Sequence, residues 1–292
     1  MLDKRLKWAF FVVTLVFAGL PIAGIILDAM KLNPVHVEDA GDALTPSREA
    51  QREPLKEDMV LIPAGFFLRG YNGGGFDEKP ESRVMLDAYW IDRTEVTYGA
   101  YLAFVAATGH RRPISRYVKH FEKLNGPRQP AVYVSWDDAE AFCRYRGARL
   151  PTEAEWEKAA RGPDGLLWPW GNQDKRGVAN TGNPDAVEFT APVASFPQDL
   201  SPFEVYDMAG NAMEWVADWY QEDAYKDNAP NPKGPDNGFN KVIKGSSWGT
   251  IGQETRLSIR LKIVPDFRDT TIGFRCAKTA TQGEIREVEK IG

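Results

Sequence analysis

The sequence predicts a loop-rich α+β domain that follows a single transmembrane helix. Nine tryptophans, 26 glycines and 20 prolines in 292 residues are typical of a domain with much irregular structure, and they argue against a helical bundle. Short segments with helix caps are interspersed with short segments of β-branched and aromatic residues. The apolar run of residues 8–27 carries no charge and is about long enough to cross the hydrocarbon core of a membrane. We therefore divide the chain into an N-terminal stretch (1–7), an anchor (8–27), a polar tether (28–58), the main domain (59–279) and a solvated tail (280–292).

The charges that flank the anchor predict its orientation. Lys4, Arg5 and Lys7 precede the apolar run and Asp28 follows it, so the N-terminus is expected in the cytoplasm and the main domain outside. A cleaved signal peptide is the alternative, but the run is longer than a usual signal-peptide core and no clean A-x-A cleavage site is present. We expect a single-pass protein of the bacterial inner (cytoplasmic) membrane with a periplasmic domain.

Three short helices are predicted from their caps. Each begins after a Ser or Thr that can cap it, and each stops at a glycine. The N-caps are Thr97, Ser135 and Thr152, and the glycines are at positions 109, 147 and 162. Strands are predicted at Met59–Ile62, Phe66–Arg69, Val84–Ile91, Val242–Lys244 and Thr271–Ala277.

The composition and the motifs argue against several classes of function. The net charge of −5 is mild and the main domain has no block of Lys and Arg, so nucleic acid is not an expected partner. There is no G-x-S-x-G, P-loop or dinucleotide-binding fingerprint, and the three histidines form no i, i+4 ligand pair. The acidic residues between Thr152 and Glu157 are explained by helix capping and the helix dipole rather than by acid–base catalysis.

One segment combines acidic and aromatic residues around a turn. Asp207 and Glu214 flank a Gly-Asn turn, with the carbonyl groups of Gly210 and Ala212 between them, and Trp215 follows. Such oxygens suit a hard cation such as calcium, although the spacing is not that of an EF-hand. The alternative is a capped turn that leads into an aromatic core. The local spacing does not decide between these interpretations.

Six motifs in a fixed order give the chain a family resemblance. They are Leu61–Gly65, Asp92–Thr97, Arg149–Gly162, Trp170–Asn172, Asp207–Trp215 and Gly273–Arg275. Together they resemble the formylglycine-generating enzyme (sulfatase-modifying factor) superfamily over residues 59–278. The resemblance implies a C-type-lectin-like α+β domain that is poor in regular secondary structure.

The resemblance also implies structural calcium sites and a disulfide. In the first calcium set the ligands are the side chains of Asn180 and Asp185 and the backbone carbonyls of Thr181 and Val187. In the second set they are the side chains of Asp207 and Glu214 and the backbone carbonyls of Gly210 and Ala212. The alternative is that these loops close through Asx-type hydrogen bonds without metal. The chain has two cysteines, Cys143 and Cys276, at positions that resemble the partners of a structural disulfide. An even number of cysteines beyond a membrane anchor agrees with that pairing, and two separate buried thiols are the alternative.

The residues that would carry the family's copper chemistry are missing. In formylglycine-generating enzymes two cysteines bind copper after the Gly-Gly-Ser-aromatic motif, and soft thiolates are the ligands that Cu(I) selects. Here the aligned positions fall on or near Thr250 and Thr255, and residues 212–274 contain no cysteine. We expect no copper and no copper-dependent formylglycine-generating activity.

A candidate partner groove is also implied by the resemblance. Its residues are Trp248, Arg256, Arg260, Asp269 and Arg275, which fall where the family's substrate groove would lie. Arginine and tryptophan are types that interfaces favour. The alternative is that the arginines form ion pairs that tie loops to the core.

Three functions follow from these observations. The favoured hypothesis is a catalytically silent domain that serves as an accessory or scaffolding subunit and binds integral membrane or periplasmic proteins. The alternative is an enzyme of altered chemistry, which oxidatively matures a secreted compound or a periplasmic metalloenzyme. A third hypothesis is a calcium-stabilised module that binds peptide or glycan.

Overall fold

The computed structural model describes residues 59–114, 120–182, 187–250 and 255–290. Within these ranges no helix has the length and apolarity that a bilayer span requires. The predicted anchor (8–27) and the predicted tether (28–58) lie outside the described residues.

The described part is a mixed fold of short helices and short strands. Its four α-helices are α1 (Tyr98–Thr108), α2 (Trp136–Tyr145), α3 (Glu153–Arg161) and α4 (Gln282–Glu289). Its strands are β1 (Met59–Ile62), β2 (Gly65–Arg69), β3 (Ser82–Leu86), β4 (Tyr89–Asp92), β5 (Met213–Trp219), β6 (Lys241–Lys244), β7 (Leu261–Ile263), β8 (Ile272–Phe274) and β9 (Ala277–Thr279). They form three sheets with the orders β1-β4-β9, β2-β3 and β7-β6-β5-β8, and only β5 and β8 pair in parallel.

The predicted helix caps are confirmed. The side chains of Thr97, Ser135 and Thr152 each accept a hydrogen bond from a backbone N–H of the first turn that follows. Ser135 and Thr152 take part in complete capping boxes. Thr281 caps α4 in the same way, so part of the tail, for which the sequence analysis gave no helix, forms a regular helix. Local hydrogen bonding therefore positions every helix start.

Two of the strand predictions needed correction. The predicted strand Val84–Ile91 is two strands, β3 and β4, which belong to different sheets. Asp87 lies between them, and its N–H donates to the side chain of Asn231 instead of to a neighbouring strand. The predicted strand Thr271–Ala277 covers β8 and the first residue of β9, which also belong to different sheets. The segment that was predicted to bind calcium leads directly into β5, a strand that the sequence analysis did not predict.

Helix α3 is buried on all sides although five of its nine residues are charged. At its centre the carboxylate of Glu157 is 0 % exposed and accepts from the Gly70 N–H at 2.7 Å and from Arg161 Nη1 at 2.6 Å. Lys244 on β6 donates to the same carboxylate at 3.2 Å. Burial by itself would raise the pKa of Glu157, but Lys244 and Arg161 lower it to about 2.

A second ion pair anchors the N-terminal end of α3. Arg260 donates to both carboxylate oxygens of Glu153, at 2.7 and 2.9 Å. Its guanidinium lies over the rings of Tyr220 and Tyr225, 4.9 and 4.5 Å from their centroids. The charged side chains of α3 thus hold distant loops against one helix, beyond the capping and dipole roles that the sequence had suggested.

The predicted disulfide is confirmed. Cys143 on α2 is bonded to Cys276, which lies between β8 and β9, and the two Cα atoms are 5.5 Å apart. The sequence separation is 133 residues. In the entropic account a loop of this size stabilises the folded state by about 4–5 kcal/mol.

We predict that Glu157→Gln destabilises the protein by about 3–5 kcal/mol at neutral pH, because it leaves Lys244 and Arg161 without their buried anion. The depressed pKa of Glu157 stabilises the fold above the unfolded-state pKa, and that stabilisation is lost as the pH falls from about 4.5 towards 2. The measurement is the free energy of unfolding of the full chain as a function of pH. The exposed Glu287→Gln is the matched control, and a pH-independent loss for Glu157→Gln would contradict the ion-pair account.

Candidate functional site

The turn before β5 packs closely against a neighbouring loop. Asp207 and Asn211 have left-handed backbone conformations, with φ angles of 61° and 70°. Gly210 is required because a Cβ atom there would lie 2.6 Å from the carbonyl oxygen of Asn180. The Asn211 N–H donates to that same carbonyl at 2.7 Å, and the Asn180 side chain donates to the Asn211 side chain at 3.0 Å. The two segments that were predicted to bind calcium therefore contact each other.

In the second predicted calcium set, Glu214 is bonded to an arginine. Arg275 donates to both of its carboxylate oxygens at 2.7 Å, and the indole N–H of Trp156 donates at 2.8 Å. All three side chains are fully buried. The guanidinium neutralises the carboxylate that calcium would need, so this arrangement does not fit a calcium ion.

The same guanidinium faces a group of buried carboxyls. Burial and the neighbouring Asp207 hold the pKa of Glu95 well above its usual range, and they do the same for Asp199. Burial also raises the pKa of Asp207, whose carboxylate accepts from the Ala194 N–H at 2.6 Å. Arg275 lowers the pKa of all three carboxyls, but less than burial raises it. These three carboxyls are therefore held towards their protonated form, and Arg275 offsets only part of the effect of burial.

The first predicted calcium set has one feature that fits a cation. The side-chain oxygen of Asn180 is buried and has no hydrogen-bond partner among the described residues. A buried oxygen without a partner is a candidate ligand for a hard cation. Thr181 follows it in the chain and is buried, Val187 is 48 % exposed, and Asp185 lies outside the described residues. Within the described ranges no three His, Cys, Asp or Glu side chains form a group that could hold a metal ion.

The positions aligned with the copper cysteines carry hydrogen-bonded hydroxyls. Thr250 Oγ1 accepts from the Ser247 N–H at 3.1 Å, and Thr255 Oγ1 accepts from the indole N–H of Trp168 at 2.9 Å. Both cysteines of the chain are consumed by the disulfide. These residues do not fit copper, because no thiolate is available to bind it.

The structure does not bring the five predicted groove residues together. Trp248 and Asp269 are neighbours, since the Trp248 indole donates to the carbonyl of Thr270 at 3.0 Å. Arg256 instead pairs with Glu78 at 3.1 Å. Arg260 and Arg275 are buried in ion pairs with Glu153 and Glu214. The geometry of these three arginines therefore agrees with the alternative interpretation, in which ion pairs tie loops to the core.

Comparison with known proteins gives a family and several relatives. The family model of the sulfatase-modifying factor enzyme 1-like domain matches residues 45–280. A serine/threonine-protein kinase pkn1 from Chlamydia caviae is 33% identical over 250 residues, which are 79% of this chain and 39% of the kinase. This chain therefore spans well under half the length of that relative. The formylglycine-generating enzyme of Thermomonospora curvata is 33% identical over 296 residues, with 80% of this chain and 96% of the enzyme covered.

One relative is named as inactive, and one solved structure is similar throughout. The inactive Cα-formylglycine-generating enzyme 2 of Mus musculus is 37% identical over 166 residues, which are 52% of this chain and 49% of that protein. The structure of PvdO from Pseudomonas aeruginosa matches with a TM-score of 0.67 and 30% identity, and the match covers 76% of this chain and 94% of PvdO.

We predict that Arg275→Met destabilises the full chain by about 3–5 kcal/mol, because it leaves Glu214 as an uncompensated buried charge. The double variant Arg275→Met/Glu214→Gln is expected to regain part of this loss, since it removes the unpaired anion. Chemical denaturation of the wild type, Arg275→Met, Glu214→Gln and the double variant measures the coupling energy between the two residues. The exposed Arg286→Met is the control. Strictly additive effects of the two substitutions would show that the pair does not hold the site.

Proposed function

This chain belongs to the sulfatase-modifying factor enzyme 1-like family, and on that premise we propose that it is a catalytically silent member that serves as an accessory or scaffolding subunit of a membrane or periplasmic protein complex. The observation that carries the proposal is that the positions aligned with the copper-binding cysteines, which fall on or near Thr250 and Thr255, carry no thiol. Their hydroxyls are committed to internal hydrogen bonds. A relative that is itself named as inactive supports the idea that this domain can be kept without its oxidative chemistry.

The disulfide supports a location outside the cytoplasm. Structural disulfides persist in oxidising compartments and are rare where cellular reductants keep thiols reduced. The Cys143–Cys276 bond therefore agrees with the orientation that the charges around residues 8–27 predict. A domain held outside the membrane by a tether is well placed to contact other membrane or periplasmic subunits.

Trp248 and Asp269 form the part of the predicted groove that remains a candidate contact surface. Both are only partly buried, and the Trp248 ring lies 5.2 Å from the ring of Phe189. An aromatic pair at the surface beside a carboxylate suits a protein partner. We place the contact with other subunits there.

We also propose that the first calcium set binds one structural calcium ion. The support is the buried side-chain oxygen of Asn180, together with the carboxylate that the sequence places at Asp185. Such an ion would close the loop that follows Asn180. We do not extend the proposal to the second set, where Arg275 already neutralises Glu214.

We predict that calcium raises the free energy of unfolding of the chelator-treated full chain, by about 2.7 kcal/mol at a hundredfold excess over the dissociation constant. Asp185→Asn should abolish most of this gain without disturbing the hydrogen bonds of Asn180. Asp174→Asn, at an exposed position, is the matched control. Equal stability with calcium and with chelator would rule the ion out.

The subunit role predicts that the intact chain, extracted in gentle detergent, migrates on native gels with other proteins and not as a lone 32.7 kDa species. Trp248→Ala should weaken that association about tenfold or more, because truncating an aromatic contact residue commonly costs 1–2 kcal/mol or more. Phe239→Ala removes a more exposed aromatic ring elsewhere and should have no effect.

Two outcomes would contradict the proposal. A stable monomer in the native extract would argue against a subunit role. Stoichiometric iron or copper in the purified chain would argue against catalytic silence and favour the enzyme of altered chemistry.

A further inference from the structure

The chain contains three Asn-Gly dipeptides, which begin at Asn72, Asn125 and Asn237, and the structure describes all of them. Asn-Gly is typical of turns, and it is also the dipeptide in which asparagine most readily loses its amide nitrogen. In that reaction the backbone nitrogen of the glycine attacks the side-chain carbonyl carbon, and glycine has no Cβ atom to obstruct the approach. Because the reacting residues are the same in all three dipeptides, the fold decides which of them is free to react.

At Asn72 the side chain that would be attacked is held by the fold. Its Oδ1 atom accepts a hydrogen bond from the Glu81 N–H at 3.0 Å. The ring of Tyr71 also crowds the glycine, since a Cβ atom added to Gly73 would lie 2.5 Å from a carbon of that ring. The Asn72 carboxamide must rotate before the succinimide ring can close, and this rotation breaks the hydrogen bond to Glu81.

At Asn125 the attacking nitrogen is held instead. The Gly126 N–H donates to the Gln129 side-chain oxygen at 2.6 Å. The amide nitrogen of the same glutamine donates to the carbonyls of Lys123 and Thr190, at 2.8 and 2.6 Å, so the acceptor is itself fixed. The Gly126 nitrogen must lose its proton before it can attack Asn125, and this first breaks the hydrogen bond to Gln129.

At Asn237 neither reacting group is held. Asn237 and Gly238 are both exposed. Within the described ranges, neither the Asn237 side chain nor the Gly238 N–H has a hydrogen-bond partner. Ring closure at this dipeptide therefore breaks no hydrogen bond within the protein. One restraining hydrogen bond raises a barrier enough to slow a reaction about tenfold, which separates Asn237 from the other two asparagines.

We propose that Asn237 deamidates spontaneously in the folded protein and is thus a site of covalent modification. The Gly238 nitrogen loses its proton to solvent base and bonds to the Asn237 Cγ atom. The bond from Cγ to the carboxamide nitrogen breaks, and this nitrogen takes up a proton and leaves as ammonia. Water then opens the cyclic succinimide at either of its carbonyls and gives aspartate or isoaspartate. The net reaction exchanges ammonia for water, so it requires no oxidant or reductant, and it is independent of the subunit role and of calcium.

The product changes the loop beside a cleft of about 580 Å³. The lining of this cleft includes Trp136, Trp219, Asp236 and Lys241. A carboxylate at position 237 places a second negative charge directly after Asp236. In isoaspartate the main chain also passes through the former side chain, which adds one atom before Gly238. This glycine packs against Trp219, where an added Cβ atom would lie 3.1 Å from the tryptophan side chain. Deamidation therefore alters both the charge and the backbone of the loop that leads into β6.

Ageing of the detergent-solubilised full chain at mildly alkaline pH, followed by peptide mapping with mass spectrometry, tests the proposal. Asn237 is expected to deamidate about tenfold faster than Asn72 and Asn125, and to give isoaspartate as well as aspartate. In the urea-unfolded chain the three asparagines should react at similar rates. Asn228 is also exposed but is followed by alanine, so it is the matched control and should react far more slowly. Aged Asn237→Gln should lack the acidic species that isoelectric focusing detects in the aged wild type.

Three results would overturn the proposal. The first is an Asn237 that stays intact in the folded chain while it reacts in urea, which would show that its loop is protected. The second is an equal or faster reaction at Asn72 or Asn125 in the folded chain. The third is the same order of rates in urea, which would assign the difference to the local sequence and not to the fold.

Discussion

The fold depends on the pairing of charges that are buried around α3. Glu153 and Glu157 project from a helix that is enclosed on all sides, and they meet Arg260, Lys244 and Arg161. These partners come from β6, from the loop beyond it and from α3 itself, so the pairs hold irregular segments against one element. In a domain whose strands are only three to seven residues long, such cross-links perform the role that long sheets have elsewhere. Each charge is tolerated in the interior because its partners satisfy it.

Arg275 forms a similar buried set of contacts next to α3, since the Trp156 indole donates to the same carboxylate, Glu214. Besides Glu214, it donates to the carbonyls of Asp92 and Tyr206, at 3.1 and 2.9 Å. Asp92 in turn accepts from the Cys276 N–H and from Arg146. The disulfide and the arginine therefore brace the same junction of β4, β5 and β9. The turn that precedes β5 first suggests a metal site, but its carboxylate serves this junction.

Local features of the fold could be predicted from the sequence, and non-local pairings could not. The helix caps at Thr97, Ser135 and Thr152 could be predicted, because a capping side chain and the backbone N–H from which it accepts are only three residues apart in sequence. Glu157 and Arg161, at i and i+4, could also have been recognised as a pair. Arg260 and Glu153 are 107 residues apart, and no periodicity reports such a contact. For the same reason the cleft, with Trp136, Trp219 and Lys241 on three separate elements, is invisible until the chain is folded. The disulfide was predicted because the family resemblance implied it, and the even number of cysteines beyond the predicted anchor agreed with it.

The arrangement of charge holds the domain together without thiols at the positions of Thr250 and Thr255. Its interior is held by ion pairs, by a disulfide and by aromatic packing, and none of these uses the positions of Thr250 and Thr255 as thiols. A hydroxyl offers no thiolate for Cu(I), and at Thr255 it serves as the hydrogen-bond acceptor of the Trp168 indole. The fold of this chain therefore does not depend on thiols at these positions.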